Sequence, residues 1–85
     1  MTWTVIVARA AQKQLARFPA RDQNKIAAAI LAMAEDPFCG DIIKLVGENN
    51  RWRRRLGSYR VFFVVDTAAR TVAVSAIVRR TSTTY

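Results

Sequence analysis

Histidine is absent from this chain, and cysteine occurs once, as Cys39. A single thiol cannot close an internal disulfide, and without histidine no Cys/His set can hold zinc. Cys39 is therefore expected to be a small, buried or half-buried filler, and no metal or cofactor is expected. Long apolar runs are missing as well. Near the N-terminus only the stretch from Trp3 to Ala8 is apolar, too short for a signal peptide or a membrane span. The expectation is a cytosolic protein with no membrane partner. No repeat, linker or low-complexity segment divides the chain, and its 85 residues leave room for one domain, 1–85, and no second core.

Acidic residues are scarce. Six Asp and Glu stand against fourteen Lys and Arg, a net charge of +8, and the isoelectric point is near 11.1. So large a charge on so small a domain predicts a polyanionic partner, with nucleic acid ahead of membrane. What remains is ordinary for a folded protein: 52% hydrophobic and 24% charged residues argue for a core and against disorder.

In chain order, Trp3 to Val7 is short and rich in β-branched and aromatic residues, so a strand is expected. From Ala8 the period changes. Ala8, Ala11, Leu15 and Phe18 recur at helical spacing, with Arg9, Lys13 and Arg17 facing out. Pro19 ends this helix and suits the first turn of the next. A second helix is predicted from about Ala20 to Glu35, with Asp22 in its first turn, Arg21 and Lys25 outside, and Ile26, Ile30 and Met33 buried. Asp36-Pro37 stops it. Phe38 to Asp41 reads as a loop, Ile42 to Val46 as a short strand, and Gly47 to Asn50, including Glu48, as a turn. Strands follow at Arg51 to Leu56, Tyr59 to Val65 and Thr71 to Val78, with a turn at Asp66 to Arg70. Val72, Val74 and Val78, with Ala76, are expected on one side of the last strand. The order β-α-α-β-β-β-β makes this an α+β domain: an antiparallel meander with two N-terminal helices on one face and the first strand joining the meander's last.

The ten residues RWRRRLGSYR, Arg51 to Arg60, carry the chemistry. A two-residue turn at Gly57-Ser58 sets Leu56 opposite Tyr59, Arg55 opposite Arg60 and Arg53 opposite Phe62. Arg53, Arg55 and Arg60 then share one face; Trp52, Leu56, Tyr59, Val61 and Phe63 share the other, the core. Like charges directly opposite destabilise a sheet by up to roughly 1 kcal/mol. An anion gives a reason to stack guanidinium groups there; folding does not. Arg54 falls on the core face, so either it snorkels at the sheet edge or the turn lies one residue off.

WRRRLGSYRVFFVVD resembles the central hairpin of the RelE/ParE superfamily of bacterial toxins, where Trp/Tyr-Arg-x-Arg-x-Gly-x-Tyr-Arg precedes an apolar strand. Lys44-Leu45 resembles that superfamily's edge strand, and VRRTSTTY its ending. The resemblance implies a toxin of a type II toxin–antitoxin pair, of the RelE-like branch. Such a protein is a ribosome-dependent mRNA endoribonuclease in which a ribose 2′-oxygen attacks the adjacent phosphate. Its implied partners are a cognate antitoxin, mRNA on the ribosome and ribosomal RNA. Carried over by motif, the catalytic candidates are Arg53, Arg55, Arg60, Arg79 or Arg80, and Tyr85; Lys44, Arg51 and Phe62 are candidates for holding substrate. Arginine is effectively always charged and a poor general base, which leaves Tyr85, its terminal carboxylate, Glu48 or Lys44 to accept a proton. Two rival readings stand beside this one: a ParE-like gyrase inhibitor and a non-catalytic nucleic-acid-binding module.

Overall fold

Residues 2–47 and 50–80 are described by the computed structural model. Glu48 and Tyr85, two of the proton-acceptor candidates, lie outside the described residues. The elements are β1 (Thr4–Val7), α1 (Arg9–Ala16), α2 (Ala20–Ala32), β2 (Ile42–Lys44), β3 (Arg51–Leu56), β4 (Tyr59–Asp66) and β5 (Thr71–Arg79). They form a five-stranded sheet in the order β1-β5-β4-β3-β2. The last four strands are the expected antiparallel meander, and β1 joins β5 in parallel.

One face of the sheet carries the core. Ala11, Ile26, Ile30 and Met33 from the helical half meet Tyr59, Val61, Phe63 and Val65 of β4 and Val72, Val74 and Ile77 of β5. Arg9, Lys13, Arg17, Arg21 and Lys25 all lie exposed on the helices. Pro19 serves as the residue before α2, with its ψ of 146° holding it outside the helix. Gln23 Nε2 closes the other side of that junction by donating to the carbonyls of Ala16 and Phe18. The α2 helix ends at Ala32, earlier than the periodicity indicated, and Met33 to Glu35 continue as a turn. Similarly β2 stops at Lys44, and Val46 stands 99% exposed.

Two sequence expectations fail for local reasons. Pro37 is fully buried, and Phe38 turns its ring between Trp3 and Trp52, at 6.0 and 5.2 Å. Pro37 takes the inward position of the loop and Phe38, 40% exposed, covers its edge between the two indoles, so Cys39 is exposed and is no core filler. Trp52 accordingly packs at the margin of the core against that loop. In β5, strict alternation breaks. Phe62 pairs with Ala76 and Phe63 with Val74, which leaves Ser75 as an extra residue. Its hydroxyl donates to the Phe62 carbonyl at 3.2 Å. A bulge of this kind inverts side-chain parity beyond it. Ile77, and not Val78 with Ala76, therefore continues the core stripe of Val72 and Val74; Ile77 is 1% exposed and Val78 42%.

Candidate active site

The hairpin places the arginines. Its register matches the one read from sequence: Leu56 faces Tyr59, Arg55 faces Arg60 and Arg53 faces Phe62. The turn is of the mirror-image kind, since φ is +61° at Gly57 and not positive at Ser58. With the register settled, Arg54 is on the core face by right. It is half-buried, its Nε out of solvent, with the guanidinium lying over the chain at Gly40, where a Cβ would come within 2.8 Å of the guanidinium carbon. Only glycine, at φ +93°, suits that position.

On the open face, Arg53, Arg55 and Arg60 share one patch with Phe62, which sits half-buried between Arg53 and Ala76. Arg51 lies on the same face, one pleat further from the turn, opposite Val64. The bulge decides between the two terminal arginines. Val78 faces Arg60, so Arg80 returns to the open face beside it, held by its N–H donating to the Ser58 carbonyl at 2.6 Å. Arg79 pairs with Tyr59 and sets its guanidinium 5.8 Å from the Tyr59 ring on the core side. Of the two catalytic candidates, Arg80 joins the cluster and Arg79 does not. Lys44 also falls outside it: it pairs with Trp52, on the core side of the edge strand, and Ile43 is the β2 residue that faces Arg53.

Arg60 is the centre of the cluster. Its Nη1 donates to the carbonyls of Gly57 and Tyr59, both at 3.0 Å, and its Nε is buried without a partner, as is that of Arg53. Loss of water and then the charges of Arg53, Arg80 and Arg55 draw its pKa below the ordinary arginine value, against the opposing pull of Asp41. Desolvation and three like charges together make this a strongly cationic surface, one that a bound anion would stabilise. Rigid guanidinium forks suit a phosphate, whose oxygens they bind in pairs.

Two acidic residues matter more than the sequence suggested. Asp41 meets Arg55, with Arg55 Nε donating to Asp41 Oδ2 at 2.7 Å. Continuing the β2–β3 pairing by one residue beyond Ile42 and Arg54 would have found it. Asp22 accepts a hydrogen bond from the Tyr59 hydroxyl at 2.6 Å. That bond, then burial and the Asp22 charge, raise the Tyr59 pKa, and Arg79 pulls the other way. Tyr59 is thereby a neutral structural residue tying α2 to β4, with its ring against Phe18 at 4.7 Å.

Comparison with known proteins agrees with this architecture. The RelE–RelB complex of Pyrococcus horikoshii contains a chain that superposes with a TM-score of 0.86 at 24% identity, over 98% of this chain and 100% of that one. The RelBE2 toxin–antitoxin complex of Mycobacterium tuberculosis gives 0.83 at 21%, over 94% and 100%. Isolated RelE of Escherichia coli gives 0.81 at 16%, over 95% and 87%. No curated protein sequence matches the chain. The family model described as the ParE toxin of the type II toxin–antitoxin system, parDE, matches residues 5–83. With nearly the whole chain matched and the fold shared, the protein belongs to that toxin family, within the RelE/ParE superfamily.

Proposed function

We propose that the protein is an mRNA endoribonuclease toxin acting on the translating ribosome, its arginine face binding the scissile phosphate. The observation that carries this is the convergence of Arg53 and Arg55 from β3, Arg60 from β4 and Arg80 from just beyond the end of β5. In-line attack by a ribose 2′-oxygen on the adjacent phosphorus adds negative charge to the nonbridging oxygens. Arg60 is the residue proposed to take that charge, supported by its seat in β4 and by the two carbonyls that hold its Nη1. Arg53 and Arg80 flank it and orient the backbone, and Phe62 offers an aromatic surface beside Arg53. The products are a 2′,3′-cyclic phosphate and a 5′-hydroxyl. None of these arginines accepts a proton at neutral pH. The arginines therefore contribute charge stabilisation; the 2′-hydroxyl proton passes either to Tyr85, the acceptor the family resemblance offers, or to a group of the ribosome that aligns the message, and a proton returns to the leaving 5′-oxygen. A cognate antitoxin, of the kind seen in the RelE–RelB complexes, is the partner that holds the activity in check.

Arg60→Ala is expected to reduce transcript cleavage by about 10²–10³-fold, the cost of removing one preorganised charge donor. Primer extension on transcripts after brief expression reads this directly; undiminished cleavage rejects the site. The ParE description of the matching family model favours a second reading, inhibition of DNA gyrase with no nuclease work. Induction of the DNA-damage response with intact transcripts selects it.

A further inference from the structure

The cross-strand row that holds the central arginines ends in a carboxylate. Asp41 lies opposite Arg55 by continuation of the β2–β3 register, and Arg55 lies opposite Arg60. Two contacts join the first pair. The Arg55 N–H donates to the Asp41 carbonyl at 2.8 Å, and Arg55 Nε donates to Asp41 Oδ2 at 2.7 Å. Both side chains remain more than half exposed, 58% and 52%. An ion pair that open adds little to stability, so its consequence is orientation. A guanidinium has five N–H donors in one rigid plane. Fixing the inner nitrogen, Nε, sets that plane and leaves donors on the terminal nitrogens for another acceptor. Asp41 is also the carboxylate whose charge is felt at Arg60, where it opposes the three neighbouring arginines.

We propose that Asp41 is a positioning residue: it anchors Arg55 through Nε so that the terminal guanidinium nitrogens are offered to a phosphate shared with Arg60. This rests on the ribonuclease reading above. The carboxylate has a cost, because it repels RNA. Its role is geometric, so removing it lowers the rate without lowering the affinity.

The test compares wild type, Asp41→Ala, Asp41→Asn, Arg55→Ala, the Asp41→Ala/Arg55→Ala double variant and Arg60→Ala. Cleavage of a defined message on programmed bacterial ribosomes gives the rate, and an uncleavable 2′-O-methyl RNA oligonucleotide gives the affinity. Asp41→Ala is expected to slow cleavage about tenfold, inside the roughly hundredfold loss that a one-ångström misplacement can cause. Its affinity for the oligonucleotide stays equal or rises, since a negative charge has gone. Asp41→Asn recovers most of the rate, because its amide oxygen still accepts from Nε. The double variant cleaves at the rate of Arg55→Ala alone, as expected if Asp41 acts through that side chain. A faster Asp41→Ala enzyme makes Asp41 a mere competitor of the phosphate and overturns the inference. So does a loss of rate, affinity and melting temperature together that persists in the double variant. Cleavage lost in Arg60→Ala but kept in Asp41→Ala overturns this inference alone. Absence of cleavage by the wild-type protein overturns the ribonuclease reading and the inference with it.

Discussion

Removing a charge from the arginine face should stabilise the protein, and the gain should vanish in salt. Arg53 is the test position: Arg55 lies two residues along the same strand and Arg60 diagonally across the hairpin. Both spacings are about 7 Å. At that distance in water, one pair of unit charges repels by about 0.6 kcal/mol before screening. With Debye lengths near 30, 8 and 3 Å, the pairs with Arg55 and Arg60 alone come to about 0.9 kcal/mol at 10 mM salt, 0.5 at 0.15 M and 0.1 at 1 M, before any contribution from Arg51, two residues the other way along the same strand. Arg53→Gln relieves this repulsion and keeps much of the side-chain length; Arg53→Lys keeps the charge and serves as control. At roughly 2.1 cal/mol/K per residue of unfolding entropy, 85 residues convert the low-salt figure to a rise in melting temperature of about 5 °C. Thermal denaturation of the three proteins across that salt range measures it. If Gln and Lys shift stability alike, or if the Gln effect is the same at 10 mM and 1 M, the repulsion does not exist as described. A gain in stability coupled to a loss of cleavage is the pattern expected of residues kept for binding and not for folding.

The remaining predictions concern the framework that aims the cluster. Ile77→Ala should cost about 2–5 kcal/mol and Val78→Ala under about 1, because the bulge at Ser75 buries the first and exposes the second; chemical denaturation reads the difference. Gly57→Ala should destabilise the hairpin by about 1–2 kcal/mol, since its φ of +61° is unfavourable for a residue with a Cβ, although no atom lies within 4 Å of the position. The raised Tyr59 pKa favours the neutral phenol in the folded state, so its contribution is complete below the ordinary value of about 10 and is lost as pH climbs through the folded one. Melting temperature should therefore fall more steeply above that pH in wild type than in Tyr59→Phe.

Most of the fold could be read in the sequence because its signals were strong and local. The change from β-branched residues to helical spacing at Ala8, the break at Pro19 and the Gly57-Ser58 turn each fix one element. The turn alone set the register of the hairpin and hence the shared face of Arg53, Arg55 and Arg60. Legibility ended where a single residue alters parity. Ser75 has no signature that distinguishes a bulge from a regular strand position, so the sequence points Val78 inward and does not separate Arg79 from Arg80. The motif puts Lys44 among the substrate-holding residues, whereas the pairing of Ile42 with Arg54 and of Lys44 with Trp52 puts it on the core side. Asp41 reads as a loop residue in the sequence because its partner comes from a strand fourteen residues later.

The most direct measurement of the central claim is the chemistry of the cut ends on a programmed ribosome, comparing wild type with Arg60→Ala, Arg80→Ala and Arg79→Ala. The account predicts 2′,3′-cyclic phosphate ends from wild type and Arg79→Ala, and their near disappearance in the other two. Equal cleavage by all four proteins, or loss in Arg79→Ala with activity kept in Arg80→Ala, would contradict it.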